Sequence, residues 1–152
     1  MSDNFKLFVA EPFAGASFRS LEKRDYSWFF KFDQPLSIST ESSWRFITPE
    51  RIEVTSEDHG HPFGLSQPVD AIERVMSRLA GVQVQSVSCN PKTGDLCVFF
   101  GESLYLQFLQ MSCGYESWRA HSKLGQSICL GGGEIAYFRE TPTQEGHAAG
   151  RQ

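Results

Sequence analysis

The sequence predicts an α+β fold: a mainly antiparallel sheet of about 6–8 strands in a meander, with one principal α-helix packed on one face. Three observations carry this expectation. Apolar side chains alternate at period two in many short runs. A three-and-four apolar spacing stands out once, over Pro68–Ala80. The runs are joined by hairpin-length connections, which make sequential strands antiparallel. A chain of 152 residues fits one domain, expected over 1–140, with 1–24 as a packed arm and 141–152 as a disordered tail.

Phe5, Leu7 and Val9 alternate, which predicts a short strand before Pro12 and Gly15 break the pattern. Phe13 and Phe18 then hold the arm on the domain. Tyr26, Trp28, Phe30 and Phe32 share one face of the first strong strand. Leu36–Ser39, Ser43–Ile47 and Ile52–Val54 continue the alternation, and Thr55–Gln67 reads as a loop. Pro68 suits a first helical turn, and Val69, Ile72, Val75, Met76 and Leu79 form one apolar stripe ended by Gly81. Ile72, Met76 and Leu79 are expected to be buried against the sheet. Val82–Cys89, Leu96–Phe100, Leu104–Leu109, Ser117–His121, Ser127–Leu130 and Glu134–Phe138 supply the later strands. The stretch from Thr141 has no large apolar side chain to anchor it.

Composition excludes several classes. The formal net charge is −4 and there is no Lys/Arg run, so a nucleic-acid partner is not expected. No apolar stretch reaches the length of a membrane span, and the N-terminus has no basic-then-apolar signal, so no membrane association is expected. Cys89, Cys97, Cys113 and Cys129 have no close pair spacing and read as reduced thiols of a cytoplasmic protein.

No motif for catalysis stands out. Asp58-His59-Gly60-His61 is the densest set of potential metal ligands, yet third and fourth ligands are not evident, and a polar loop explains it. Gly131-Gly132-Gly133 leads into a strand rather than a helix, so positive φ or a bulge explains it better than a phosphate cradle. There is no GxSxG motif, and Cys113 with His121 is a weak nucleophile–base pair. Neither enzyme activity, metal nor cofactor is expected. Gly114-Tyr115-Glu116-Ser117-Trp118 is the most distinctive string. It reads either as a turn entering a strand, with Trp118 partly buried and Glu116 at the rim, or as an exposed aromatic and acidic hot spot.

Ser43-Trp44-Arg45-Phe46, Gly94-Asp95-Leu96 and Gly114-Tyr115-Glu116-Ser117-Trp118 occur in an order that resembles small uncharacterised bacterial proteins, across roughly Ser37–Tyr137. Several of those are similar to immunity proteins of polymorphic toxin and contact-dependent inhibition systems. The resemblance implies a non-catalytic protein that binds and neutralises a cognate toxin, and it carries over no catalytic residue. The residues expected to meet that partner are Glu41, Glu57, Asp58 and Glu116, whose charges suit a basic cleft, with Tyr115 and Trp118. Two alternatives stay open. One is a small-molecule or metal-binding module using the Asp58–His61 loop or a sheet face. The other is a homo-oligomeric interaction protein, most simply a homodimer, in which an exposed aromatic strand pairs with its own copy.

Overall fold

The computed structural model describes residues 1–101 and 103–141. The tail expected over 141–152, with His147, lies outside them beyond Thr141. The expectation of mainly antiparallel strands holds: every strand pair is antiparallel. The expectation of an α+β fold with about 6–8 strands in one meandering sheet under a helix does not: the described residues are mostly β, with eleven strands. The strands form two sheets that face each other, one of six strands and one of five. The physical reason is area. The main helix, α3 (Ala71–Leu79), has nine residues and is only about 14 Å long, too short to cover the apolar face of so many strands. A second sheet covers it instead.

The first sheet runs β1 (Phe18–Arg24), β2 (Ser27–Phe32), β3 (Ser37–Thr40), β9 (Trp118–Ser122), β10 (Gly125–Cys129), β11 (Ile135–Arg139). The second runs β5 (Ile52–Thr55), β4 (Trp44–Ile47), β8 (Leu104–Phe108), β7 (Leu96–Gly101), β6 (Ser86–Cys89). The chain therefore crosses between sheets twice near mid-sheet, from β3 to β4 and from β8 back to β9. Because β3 pairs with β9 and β4 with β8, the two crossings lie side by side at one end of the sandwich. That placement builds the candidate site.

Aromatic side chains join the two sheets. Phe30 on β2 meets Trp44 on β4 at 5.1 Å and Phe108 on β8 at 4.9 Å between ring centres, both edge-to-face. Trp28 meets Trp44 in the same way at 5.1 Å, and Phe18 meets Phe100 at 6.3 Å. Edge-to-face geometry sets the positive ring edge against the negative face of its neighbour. Trp28, Phe30 and Phe32 are buried as their alternation predicts, whereas Tyr26 lies in the β1–β2 turn and is exposed.

The N-terminal arm is not a strand at Phe5–Val9. It is helical, in three joined pieces: α1 (Asp3–Phe5), a π segment (Lys6–Ala10) and α2 (Glu11–Phe13). Ser2 caps it by accepting the Phe5 N–H at 3.1 Å. Phe5, Phe8, Val9 and Phe13 are its buried side chains, at helical rather than period-two spacing, and Leu7 faces out. The arm continues as β1, an integral strand of the first sheet.

Helix α3 starts from Asp70, whose carboxylate accepts the Glu73 N–H, and packs on β1 and β5. Its fully inward positions are Ala71, Val75 and Leu79, while Ile72 and Met76, expected to be buried, lie half-buried at the margin. The stripe is rotated towards Ala71 because a small residue lets the helix start approach the sheet. Leu79→Ala should then lower the unfolding free energy by about 3 kcal/mol and Ile72→Ala by about 1 kcal/mol. Urea unfolding of both variants measures the difference, and equal losses would contradict the rotated stripe.

Candidate functional site

The two crossings enclose a groove of about 950 Å³ that opens onto the outer face of the first sheet. One wall is the β3–β4 link with Glu41 and Ser42. The other is the β8–β9 loop, Ser112 to Ser117. Ser27, Phe29, Ser39 and Arg119 on the outward sheet face complete it. Hydroxyls dominate the floor, carboxylates stand at the rim, and Phe29 supplies an apolar patch.

Each wall is tied down by side chains that cap its loose backbone. Thr40 Oγ1 donates to the Ser117 carbonyl at 3.1 Å and accepts the Ser42 N–H at 2.9 Å. Ser42 Oγ donates to the Leu109 carbonyl at 3.0 Å, so the link and the loop are fastened to each other. Gln110 is the hub of the loop. Its amide nitrogen donates to the carbonyls of Tyr115 and Leu130, at 3.0 and 2.7 Å, and its amide oxygen accepts the Ser112 N–H at 2.8 Å. Ser112 Oγ in turn accepts the N–H groups of Gly114 and Tyr115. These contacts satisfy backbone groups that a turn leaves without ladder partners.

A glycine clasp sits behind the loop. Gly131 packs directly on the Gly114 backbone, and Gly133 packs on Thr93 and Gly94. Gly132 and Gly133 have φ of 87° and 102°, so the triple glycine serves positive φ as expected, and close backbone approach as well. Trp118 locks the clasp from within, its indole N–H donating to the Gly94 carbonyl at 2.7 Å.

The structure gathers Glu41, Tyr115, Glu116 and Trp118 at this groove. Tyr115 is 82% exposed on a backbone held at both its N–H and its carbonyl. Glu116 precedes β9 and accepts from Arg119 at 2.9 Å, the turn-and-rim arrangement expected of it. Trp118, expected to be partly buried, is completely buried. Its ring fills the core under the groove and has no surface to offer a partner. Glu41 lies across from this wall and accepts from Ser27 Oγ at 3.3 Å. Glu57 reaches the same crossing through Ser43, whose hydroxyl donates to its carboxylate at 3.1 Å. Asp58 points elsewhere: it accepts the N–H and hydroxyl of Thr55 and organises its own turn.

That turn bears on the metal alternative. His59 Nδ1 accepts the Ala71 N–H at 3.0 Å, and its ring packs edge-on to Trp28 at 5.4 Å. His61 stacks on Phe63. Asp58 and His59 thus spend their polar atoms on a loop and a helix start. Among the described residues, no three His, Cys, Asp or Glu side chains converge as a metal site would need.

The cysteines divide by environment. Burial pushes the Cys89 thiol up to about 12, with Cys129, Asp95 and Cys97 adding in the same direction. Burial likewise raises Cys97 and Cys129, while Cys113 is exposed in the loop wall. Thiolate is the reactive form, so the three raised thiols stay protonated and slow at neutral pH. A thiol reagent at neutral pH should label Cys113 first, the half-buried Cys89 and Cys97 more slowly, and the buried Cys129 only on unfolding. Rapid native labelling of more than one thiol would contradict this.

Gln110, Ser112 and Arg119 were not legible as site residues. Each sits in an ordinary polar position by sequence, and only the side-by-side crossings bring them together. No helix among the described residues is long and apolar enough to cross a membrane. No family model, curated protein or solved structure matches the chain.

Proposed function

We propose that the protein is an immunity-type, non-catalytic inhibitor that seats a basic surface of a cognate toxin domain in this groove, acting in the cytoplasm. The observation that carries the reading is the pre-set loop. Tyr115 is exposed to solvent, yet its backbone is already fixed by Gln110 and Ser112. Binding energy concentrates in tyrosine, tryptophan and arginine, and a pre-ordered anchor loses little conformational freedom on docking. Glu41 and Glu116 line the groove with it, and carboxylates at a rim steer a basic partner and set its register. Blocking a toxin requires a complementary surface and no chemistry, and the motif resemblance at Trp44–Phe46, Gly94–Leu96 and Tyr115–Trp118 points the same way.

Co-expression with the product of the adjacent upstream gene, followed by co-purification, tests the reading. In such a complex Tyr115→Ala should weaken affinity by about 2 kcal/mol, or some thirtyfold. Glu116→Ala should weaken it by about tenfold while moving stability by under about 0.5 kcal/mol, since its ion pair with Arg119 is exposed. A large loss of stability with unchanged affinity would remove Glu116 as a binding residue.

A further inference from the structure

Four strands end the two sheets, and three of them are protected against pairing with another chain. β1 carries Arg19, Lys23 and Arg24 and a bulge between Phe18 and Ser20, and its first residue is already bonded to Val82 and Gly81. β5 is overlaid by α3, and Arg74 donates to the Glu53 carbonyl on it. β6 has four residues, two of them Ser, and the N-terminal arm packs on it. Charges, bulges, short length and cover are the usual protections of a sheet edge.

Among the described residues β11 has less protection: a single charge, Arg139, and the packing of the arm's Phe8 against Tyr137 on its inner face. Its five residues, Ile-Ala-Tyr-Phe-Arg, contain no Pro, Gly, Lys or bulge. Its backbone direction follows from its ladder with β10. Leu130 N–H donates to the Glu134 carbonyl and Glu140 N–H donates to the Leu124 carbonyl. The even-numbered residues of β11 therefore face β10. The N–H and C=O groups of Ile135, Tyr137 and Arg139 point the other way, and they have no backbone partner among the described residues. Phe138 stands on the outer face beside them, 56% exposed.

We infer that this edge pairs with a second copy of the chain, β11 against β11 in antiparallel register, joining the two six-stranded sheets across a two-fold axis. Such an axis stands perpendicular to the sheet, so a residue must face one on the same side of the pleat. That leaves three central positions. An axis at Tyr137 sets Glu134 opposite the copy's Glu140, and like charges directly opposed are unfavourable. An axis at Ala136 sets Glu134 against the copy's Phe138. An axis at Phe138 sets Phe138 against its own copy and Tyr137 opposite the copy's Arg139. It pairs an exposed ring with a ring and opposes no like charges, each Arg139 guanidinium keeping its place over Phe8 of its own chain. It also satisfies the outward N–H and C=O groups of Tyr137 and Arg139 in both chains. The strand's own exposure increases towards this end, where Phe138 and Arg139 are open and Ile135 to Tyr137 are half-buried. The inference is independent of the toxin reading and uses none of its residues.

Light scattering of the full chain over a concentration series tests it. The weight-average mass should rise from the 17.1 kDa of the monomer towards twice that value as concentration approaches ~1 mM, as a small contact requires. Arg139→Pro deletes an outward N–H, which an edge strand tolerates, together with the guanidinium over Phe8, and should hold the protein monomeric while it stays folded. Phe138→Lys sets two like charges on the axis and should do the same. A wild-type chain that remains monomeric throughout overturns the inference. So does a dimer that persists in Phe138→Lys, or in an Arg139→Pro variant that is still folded.

Discussion

Gly133→Ala is expected to remove about 4 kcal/mol of stability, enough to unfold a large share of a marginally stable chain at room temperature. A Cβ at Gly133 would lie 2.5 Å from the carbonyl carbon and oxygen of Thr93, and φ there is 102°. Both obstacles are backbone, so no rotamer change relieves them. Gly131→Ala should behave similarly, because its Cβ would meet the Gly114 backbone at 2.4–2.6 Å. Gly132→Ala is the internal control. Its Cβ would come no closer than 3.9 Å to the Cys113 carbonyl, which leaves only the left-handed backbone penalty of about 1 kcal/mol. Urea midpoints of the three variants should therefore rank with Gly132→Ala mildest by a wide margin. Equal losses at 132 and 133 would mean that the clasp is not a backbone contact.

Phe30→Ala carries the second large effect, about 4 kcal/mol. Phe30 is fully buried on β2 and touches Phe18 on its own sheet and Trp44 and Phe108 on the opposite one. Removing it leaves a cavity between two sheets whose backbones cannot collapse independently. The near-ultraviolet circular dichroism of Trp44 should change with it. Phe29→Ala, one residue along but on the outer face, should cost well under half as much by denaturant unfolding. Comparable losses for the two would argue against the assignment of faces.

Period-two alternation located most strands correctly, because each has one face on the core and one towards solvent. Trp28, Phe30 and Phe32 are the clearest case. Two of the readings that failed did so for separable reasons. At the N-terminus, Phe5, Leu7 and Val9 match a strand, while Phe5, Phe8, Val9 and Phe13 match a helix, and the Ser2 cap settles the choice in the fold. The single-sheet expectation failed because alternation says which side of a strand is buried and not what buries it. The β3–β4 and β8–β9 segments read as ordinary turns, although each carries the chain from one sheet to the other. The groove was invisible for the same reason. Glu41 and Tyr115 are 74 positions apart in sequence, and only the adjacency of β3 with β9 brings them to one rim. Tyr115 and Glu116 could be singled out from a distinctive string, whereas nothing local marks Gln110 as the residue that holds them.

The loop's course and its exposed surface rest on different atoms. Its course is dictated from behind, by the Gln110 amide, the Ser112 hydroxyl, the Trp118 indole and the glycines opposite. The side chains at 115 and 116 project into water, and among the described residues the only partner either holds is Arg119, paired with Glu116. If the groove seats the proposed partner, recognition can be rewritten at those two positions, and at Glu41 across the groove, while the scaffold folds as before. A library randomised at 41, 115 and 116 would inherit the parent's architecture and differ only in whom it meets.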